Sequence, residues 1–164
     1  MITRKWLPDN FVVPEVLETD KFRLRMLTVH DLIKDYDAVM SSVDHLQGVF
    51  GPGDSWPREL TLEKDLVDLG WHQCEFQNRS SFAYTVMSLD EAICLGCVYI
   101  YPSNKLEYEA EVYMWVRASE APSGLDTELF RTTKDWITSE WPMKKVAYPI
   151  REIDWSAWES IPEK

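Results

Sequence analysis

The stretch Glu111-Val112-Tyr113-Met114-Trp115-Val116-Arg117, followed after a short loop by Ser123-Gly124-Leu125-Asp126-Thr127-Glu128, decides how this chain is read. Its first part is rich in β-branched and aromatic residues and predicts a strand. Its second part opens a helix expected over about Gly124 to Glu140, with Leu125, Leu129, Thr132 and Trp136 facing inward. Pro142 prevents continuation, and a short strand over Lys145–Tyr148 follows.

Working outward, Ser81–Met87 and Ala92–Tyr101 read as a hairpin joined by Ser88-Leu-Asp-Glu91. Phe22-Arg-Leu-Arg-Met-Leu27 alternates apolar and basic residues, the pattern of a half-buried strand. Thr28 and Asp31 form a capping pair for a helix whose stripe is Val29, Leu32, Ile33, Tyr36, Val39 and Met40. The turn formers of Gly48–Pro57 separate it from a second helix, capped by Thr61, with Leu62, Leu66, Leu69 and Phe76 inward to about Asn78. The expected order is β-α-α-β-β-β-α-β, a mixed α/β domain over residues 18–149. An N-terminal arm (1–17) precedes it and a C-terminal tail (150–164) follows.

Composition narrows the function. In 164 residues, 17 Lys and Arg stand against 28 Asp and Glu, a net charge of −11 that argues against nucleic acid or an anionic membrane as partner. A cationic substrate such as an amine is compatible with that charge. No apolar run approaches the ~18 residues of a membrane span. The start, Met1-Ile-Thr-Arg-Lys-Trp-Leu-Pro8, lacks a signal-peptide core, which leads us to expect a soluble, cytoplasmic protein. Cys74, Cys94 and Cys97 are odd in number and expected reduced. Cys94-Leu-Gly-Cys97 has metal-knuckle spacing, but strand residues three apart point to opposite faces, so no metal site is expected. His30, His45 and His72 show no ligand spacing and read as surface or helix-face residues.

These residues resemble the GNAT superfamily of acyl-CoA N-acyltransferases. Glu18-Thr-Asp-Lys-Phe-Arg-Leu-Arg-Met-Leu27 is similar to the family's opening strand, and the hairpin carries Gly96 where an Ile-Gly pair is common. Glu111–Val116 and the Gly124, Thr127, Glu128 positions resemble the branch of ribosomal-protein alanine N-acetyltransferases. The resemblance covers about Glu18 to Pro149 and implies the family's fold without its usual C-terminal hairpin, since only a short tail follows Tyr148.

It also implies acetyl-CoA as acyl donor. In this family the pantetheine arm inserts between two splayed strands and pairs with main-chain groups, here Trp115 and Val116 by position. The pyrophosphate rests on a Gly-rich turn at the next helix, here Ser123, Gly124 and Leu125. At that turn Ala121 and Pro122 stand in place of the family's Arg or Gln and first Gly, and Ser123-x-x-Asp126 spells a capping box. Those side chains are expected to satisfy the first-turn amides, and the Asp126 carboxylate to repel phosphate. Glu111 matches a Glu placed near the amine in several relatives and is a candidate general base, or else a solvated strand-end carboxylate like Glu109. The function implied is acetyl transfer to the primary amine of a small molecule or peptide by direct attack on the thioester. The alternative is a non-catalytic GNAT-fold binding or interaction protein that has lost its cofactor.

Overall fold

In the computed structural model, which describes residues 5–164, a six-stranded sheet runs through the molecule in simple chain order. Residues 1–4, part of the start read above for a leader, lie outside the described residues. The strands are β1 (Val16–Glu18), β2 (Phe22–Met26), β3 (Phe82–Ser88), β4 (Cys94–Pro102), β5 (Ala110–Val116) and β6 (Val146–Ala147). Every neighbouring pair is antiparallel except β5 and β6, which are parallel. The helices are α1 (Leu32–Met40), α2 (Leu62–Gln77), α3 (Leu125–Glu140) and α4 (Trp155–Ser160). Relative to the expected order, β1 is added across the boundary between the arm and the domain, and α4 within the tail.

Helices cover both faces of the sheet, so β3, β4 and β5 are nearly continuous runs of buried residues. On one face Val112, Met114 and Val116 pack with Leu125, Leu129, Trp136 and Ile137 of α3. On the other, Tyr113 and Trp115 join Tyr99, Cys97 and the α1–α2 residues Ala38, Val39 and Leu69. Trp115 is 1% exposed, and its indole N–H donates to the Tyr99 hydroxyl at 3.0 Å. The ring therefore belongs to the core and its one polar atom is satisfied.

Three inward stripes differ from expectation. Ile33 is 69% exposed, because Val29–Asp31 forms a 3-10 turn that changes the phase before α1 begins. On α3 the buried hydroxyl is Thr133, not Thr132. On α2, Leu62 and Leu66 face solvent while Asp65, Leu69 and Phe76 are buried and His72 is partly so. The apolar residues alone put the helix face one position out, since two polar side chains point inward.

The cysteine geometry also differs. Met87 pairs with Cys94 and Val86 with Gly96, so Leu95 is an extra residue, a β-bulge. The bulge resets the alternation and brings Cys94 and Cys97 onto the same face, both buried and free. Among the described residues no cluster of His, Cys, Asp and Glu is arranged to hold a metal ion. No described helix is long and apolar enough to cross a membrane.

The tail folds back instead of forming a hairpin. Asp154 caps α4 through the Ala157 amide at 2.9 Å, and Trp158 is buried against Tyr108. Trp155 lies over Gly51, where a Cβ would come within 2.5 Å of the indole, so only glycine fits beneath it. Lys164 closes the chain by donating to the carbonyls of Ser103 and Tyr108.

Candidate functional site

Strands β5 and β6 pair only at Ala110–Val146 and Glu111–Ala147 and then part. Pro149 cannot donate to a ladder, and the chain turns away through Ile150 to a bridge with Ile153. Strand parity fixes which β5 groups face the opening. Arg117 N–H donates to Leu95 O and Glu109 O accepts from Ser103 N–H, so odd-numbered backbone groups face β4. Val112, Met114 and Val116 therefore direct their N–H and C=O groups into the gap, which continues into a cavity of about 400 Å³. Val116, one of the two strand residues singled out from the sequence, turns its main chain to the open edge. Trp115 has both its ring and its main chain turned away, the former to the core and the latter to β4. Met114 is the edge residue that sequence reasoning missed by one position.

The first turn of α3 borders the same cavity through Asp126 and Thr127. The expected capping box does not form. Gly124 is the N-cap, in the left-handed conformation at φ 78°, and no side chain caps the helix. Ser123 Oγ donates to Glu120 O at 2.7 Å and accepts only weakly from Leu125 N–H at 3.3 Å. Asp126 turns outward to Arg151, with Nη1–Oδ2 and Nη2–Oδ1 both at 2.8 Å. Its negative charge is thereby neutralised and its carboxylate caps none of the first-turn amides, the reverse of the electrostatic obstacle expected. Arg151 Nη2 also donates to Met114 O at 3.1 Å, across the mouth of the gap. No sequence signal identified Arg151, which reaches this turn only because the chain doubles back after β6.

Glu111 sits on the last rung before the strands part, on the α1–α2 face. Its carboxylate accepts from Ser103 Oγ at 3.0 Å and Tyr113 Oη at 3.3 Å. Burial pushes its pKa above the ordinary glutamate value, with those two hydrogen bonds opposing. Glu109 is different: it accepts from the Lys144 and Lys145 amides at 2.7 and 2.9 Å and anchors the entry to β6. Lys144 and Lys145 are exposed.

No protein-family model matches the sequence, and no curated protein matches it significantly. Solved structures do match. The microcin C7 self-immunity acetyltransferase, in complex with acetyl-CoA and AMP, aligns with a TM-score of 0.66 at 12% identity, covering 85% of this chain and 76% of its own. The Salmonella typhimurium acetyltransferase that modifies the N-terminal serine of ribosomal protein L7/L12 gives 0.63 at 12% identity, covering 82% and 74%. The ribosomal-protein-S5-alanine acetyltransferase of Vibrio fischeri gives 0.57 at 14%, covering 81% and 72%. With the parted β5–β6 pair and the helix that follows, these similarities establish that the chain has the fold of the GNAT acetyltransferases.

Proposed function

We propose that the protein is an acetyl-CoA-dependent N-acetyltransferase acting on a primary amine. The observation that carries this reading is the gap between β5 and β6, edged by the main-chain groups of Val112, Met114 and Val116. Those groups would pair with the amides of a pantetheine arm. The open first-turn amides of Asp126 and Thr127 and the Arg151 guanidinium would meet the pyrophosphate, with Ser123 and Gly124–Leu125 alongside. Structurally similar proteins have been solved with coenzyme A or acetyl-CoA bound.

In direct transfer the amine lone pair attacks the thioester carbonyl, the C–N bond forms and the C–S bond breaks. Thiolate leaves, and the amine loses a proton to a base. Glu111 is assigned that role: its raised pKa and its place at the start of the gap suit proton acceptance. Titration calorimetry with acetyl-CoA, followed by thiol release in the presence of amines, tests the proposal. Tight binding with amine-dependent release is expected. Absence of both overturns it.

One observation favours the alternative. Arg151 already occupies Met114 O, a group the pantetheine arm would need. If that contact is permanent, the protein is a GNAT-fold binding module.

A further inference from the structure

A second cavity, of about 290 Å³, lies between α1, α2, the Gly48–Pro57 loop and β4. Two carboxyls line it from within the core: Asp35 on α1 is 4% exposed and Asp65 on α2 is 3% exposed. Both face the same cavity. Asp65 Oδ2 is buried with no hydrogen-bond partner, and so is Nδ1 of His72 on the same helix. A buried unpaired carboxylate oxygen carries its full desolvation penalty. Such a group is retained where something else completes it.

Among the described residues no lysine or arginine lines the cavity to do so. Arg25 is committed to Asp31 at 2.7 Å and to Glu91 at 2.8 Å. The remaining wall is aromatic: Phe50 packs on Tyr99 at 5.3 Å and on Trp56 at 5.2 Å. Asp68 adds a more exposed carboxylate at the rim. A metal ion is not what this set fits, since no three ligating groups converge here and ring faces offer no lone pairs. Carboxylates set among aromatic faces suit an organic ammonium, which takes ion-pair hydrogen bonds at its head and cation–π and apolar contact along its body.

We propose that this pocket seats the ammonium head of a small aliphatic amine, Asp65 binding the charge, Asp35 offering a hydrogen-bond acceptor beside it, and Phe50, Trp56 and Tyr99 holding the chain. The assignment rests on the transferase reading for its role as acceptor site. Phe50 also touches Tyr113, at 5.7 Å, and Tyr113 with Val49 lines the β5–β6 cavity. One short segment, Val49–Phe50, thus separates the two cavities. A diamine is the class that fits, with one ammonium held by the carboxylates and the other amine directed past Tyr113 toward the gap.

The test is calorimetric titration of the full chain with 1,4-diaminobutane alone, with 1,4-butanediol as the uncharged control. Wild type should bind the diamine and ignore the diol. Asp65→Asn keeps the shape and removes the charge, Asp35→Asn keeps the shape and removes the neighbouring carboxyl, and each should weaken binding at least tenfold while melting no lower than wild type. Failure of wild type to bind the diamine overturns the proposal. So does equal binding of the diol, or undiminished binding by both folded variants. Because no acyl donor is present, the outcome is separate from the acetyl-CoA titration. Diamine binding without acetyl-CoA binding would sustain the cation pocket and reject the transferase.

Discussion

Arg151 and Asp126 form a two-pronged ion pair across the mouth of the β5–β6 gap, both contacts at 2.8 Å. The pair joins the tail to the first turn of α3 and sets the charge at the candidate pyrophosphate turn. Asp126→Asn should release the guanidinium for phosphate and strengthen acetyl-CoA binding by about 1 kcal/mol. Arg151→Ala should instead leave a bare carboxylate beside the anion and weaken binding about tenfold. Calorimetric titration of both variants checks the signs. Tighter binding by Arg151→Ala would mean that its hold on Met114 O, not its charge, dominates.

Stability should decline as pH rises from mildly acidic to neutral. Burial, with the charge of Asp68 adding, pushes Asp65 up to about 6, and burial and the neighbouring Asp65 push Asp35 well above the usual carboxylate range. Above the unfolded value of about 4 the unfolded chain loses these protons while the folded chain keeps them. The stabilisation is therefore full below about pH 4 and is lost as pH passes through the folded values. Glu111, raised by burial, acts in the same sense. Asp31 and Glu91 are lowered, Asp31 by Arg25 and Thr28 against its burial and Glu91 first by its hydrogen bond from Arg25, so their contributions are lost at acid pH instead. A melting temperature that peaks under mildly acidic conditions is expected. Asp65→Asn should flatten the fall on the alkaline side.

Replacing Glu111 with Gln should lower kcat about 100-fold with little change in KM for acetyl-CoA, as expected on removing a general base. The wild-type rate should rise with pH through a step above the ordinary glutamate range, and the variant should lose that step. An unchanged pH–rate profile would return Glu111 to a structural role, as the acceptor for Ser103 and Tyr113.

Removing residues 152–164 should destabilise the protein by about 3 kcal/mol or more, chiefly through loss of the buried Trp158. For a chain of this size that corresponds to a fall of about 6–12 °C in Tm. Thermal melts of full-length and truncated protein decide it. An unchanged Tm would show the tail to be only peripherally attached.

Strands β2 to β6 and helices α1 to α3 were legible in the chain itself, β1 and α4 were not, and the gap was an expectation carried by the family resemblance. Alternating or continuous apolar runs specify β2 to β5 locally, Thr61 and Thr28 sit where helices start, and Pro142 marks the end of α3. The face of α2 was not legible. Leu62 and Leu66 carry the apolar signal, and only packing against α1 and the sheet turns Asp65 and His72 inward, creating the acidic pocket.

The cofactor turn divides in the same way. Gly124 follows from local backbone demand, and its position was readable from Ser123-Gly124-Leu125. The environment of Asp126 was not, because its partner is 25 residues away and arrives through the reversal after β6. A capping box is a local pattern of about 1 kcal/mol, and a bidentate Arg–carboxylate pair can outcompete it. Whether Trp115 or Met114 faces the gap likewise depends on which edge of β5 the chain leaves open. Sequence by itself determined the elements, whose causes lie within a few residues. Only the tertiary structure decided the site, whose charges and edges come from segments far apart in the chain.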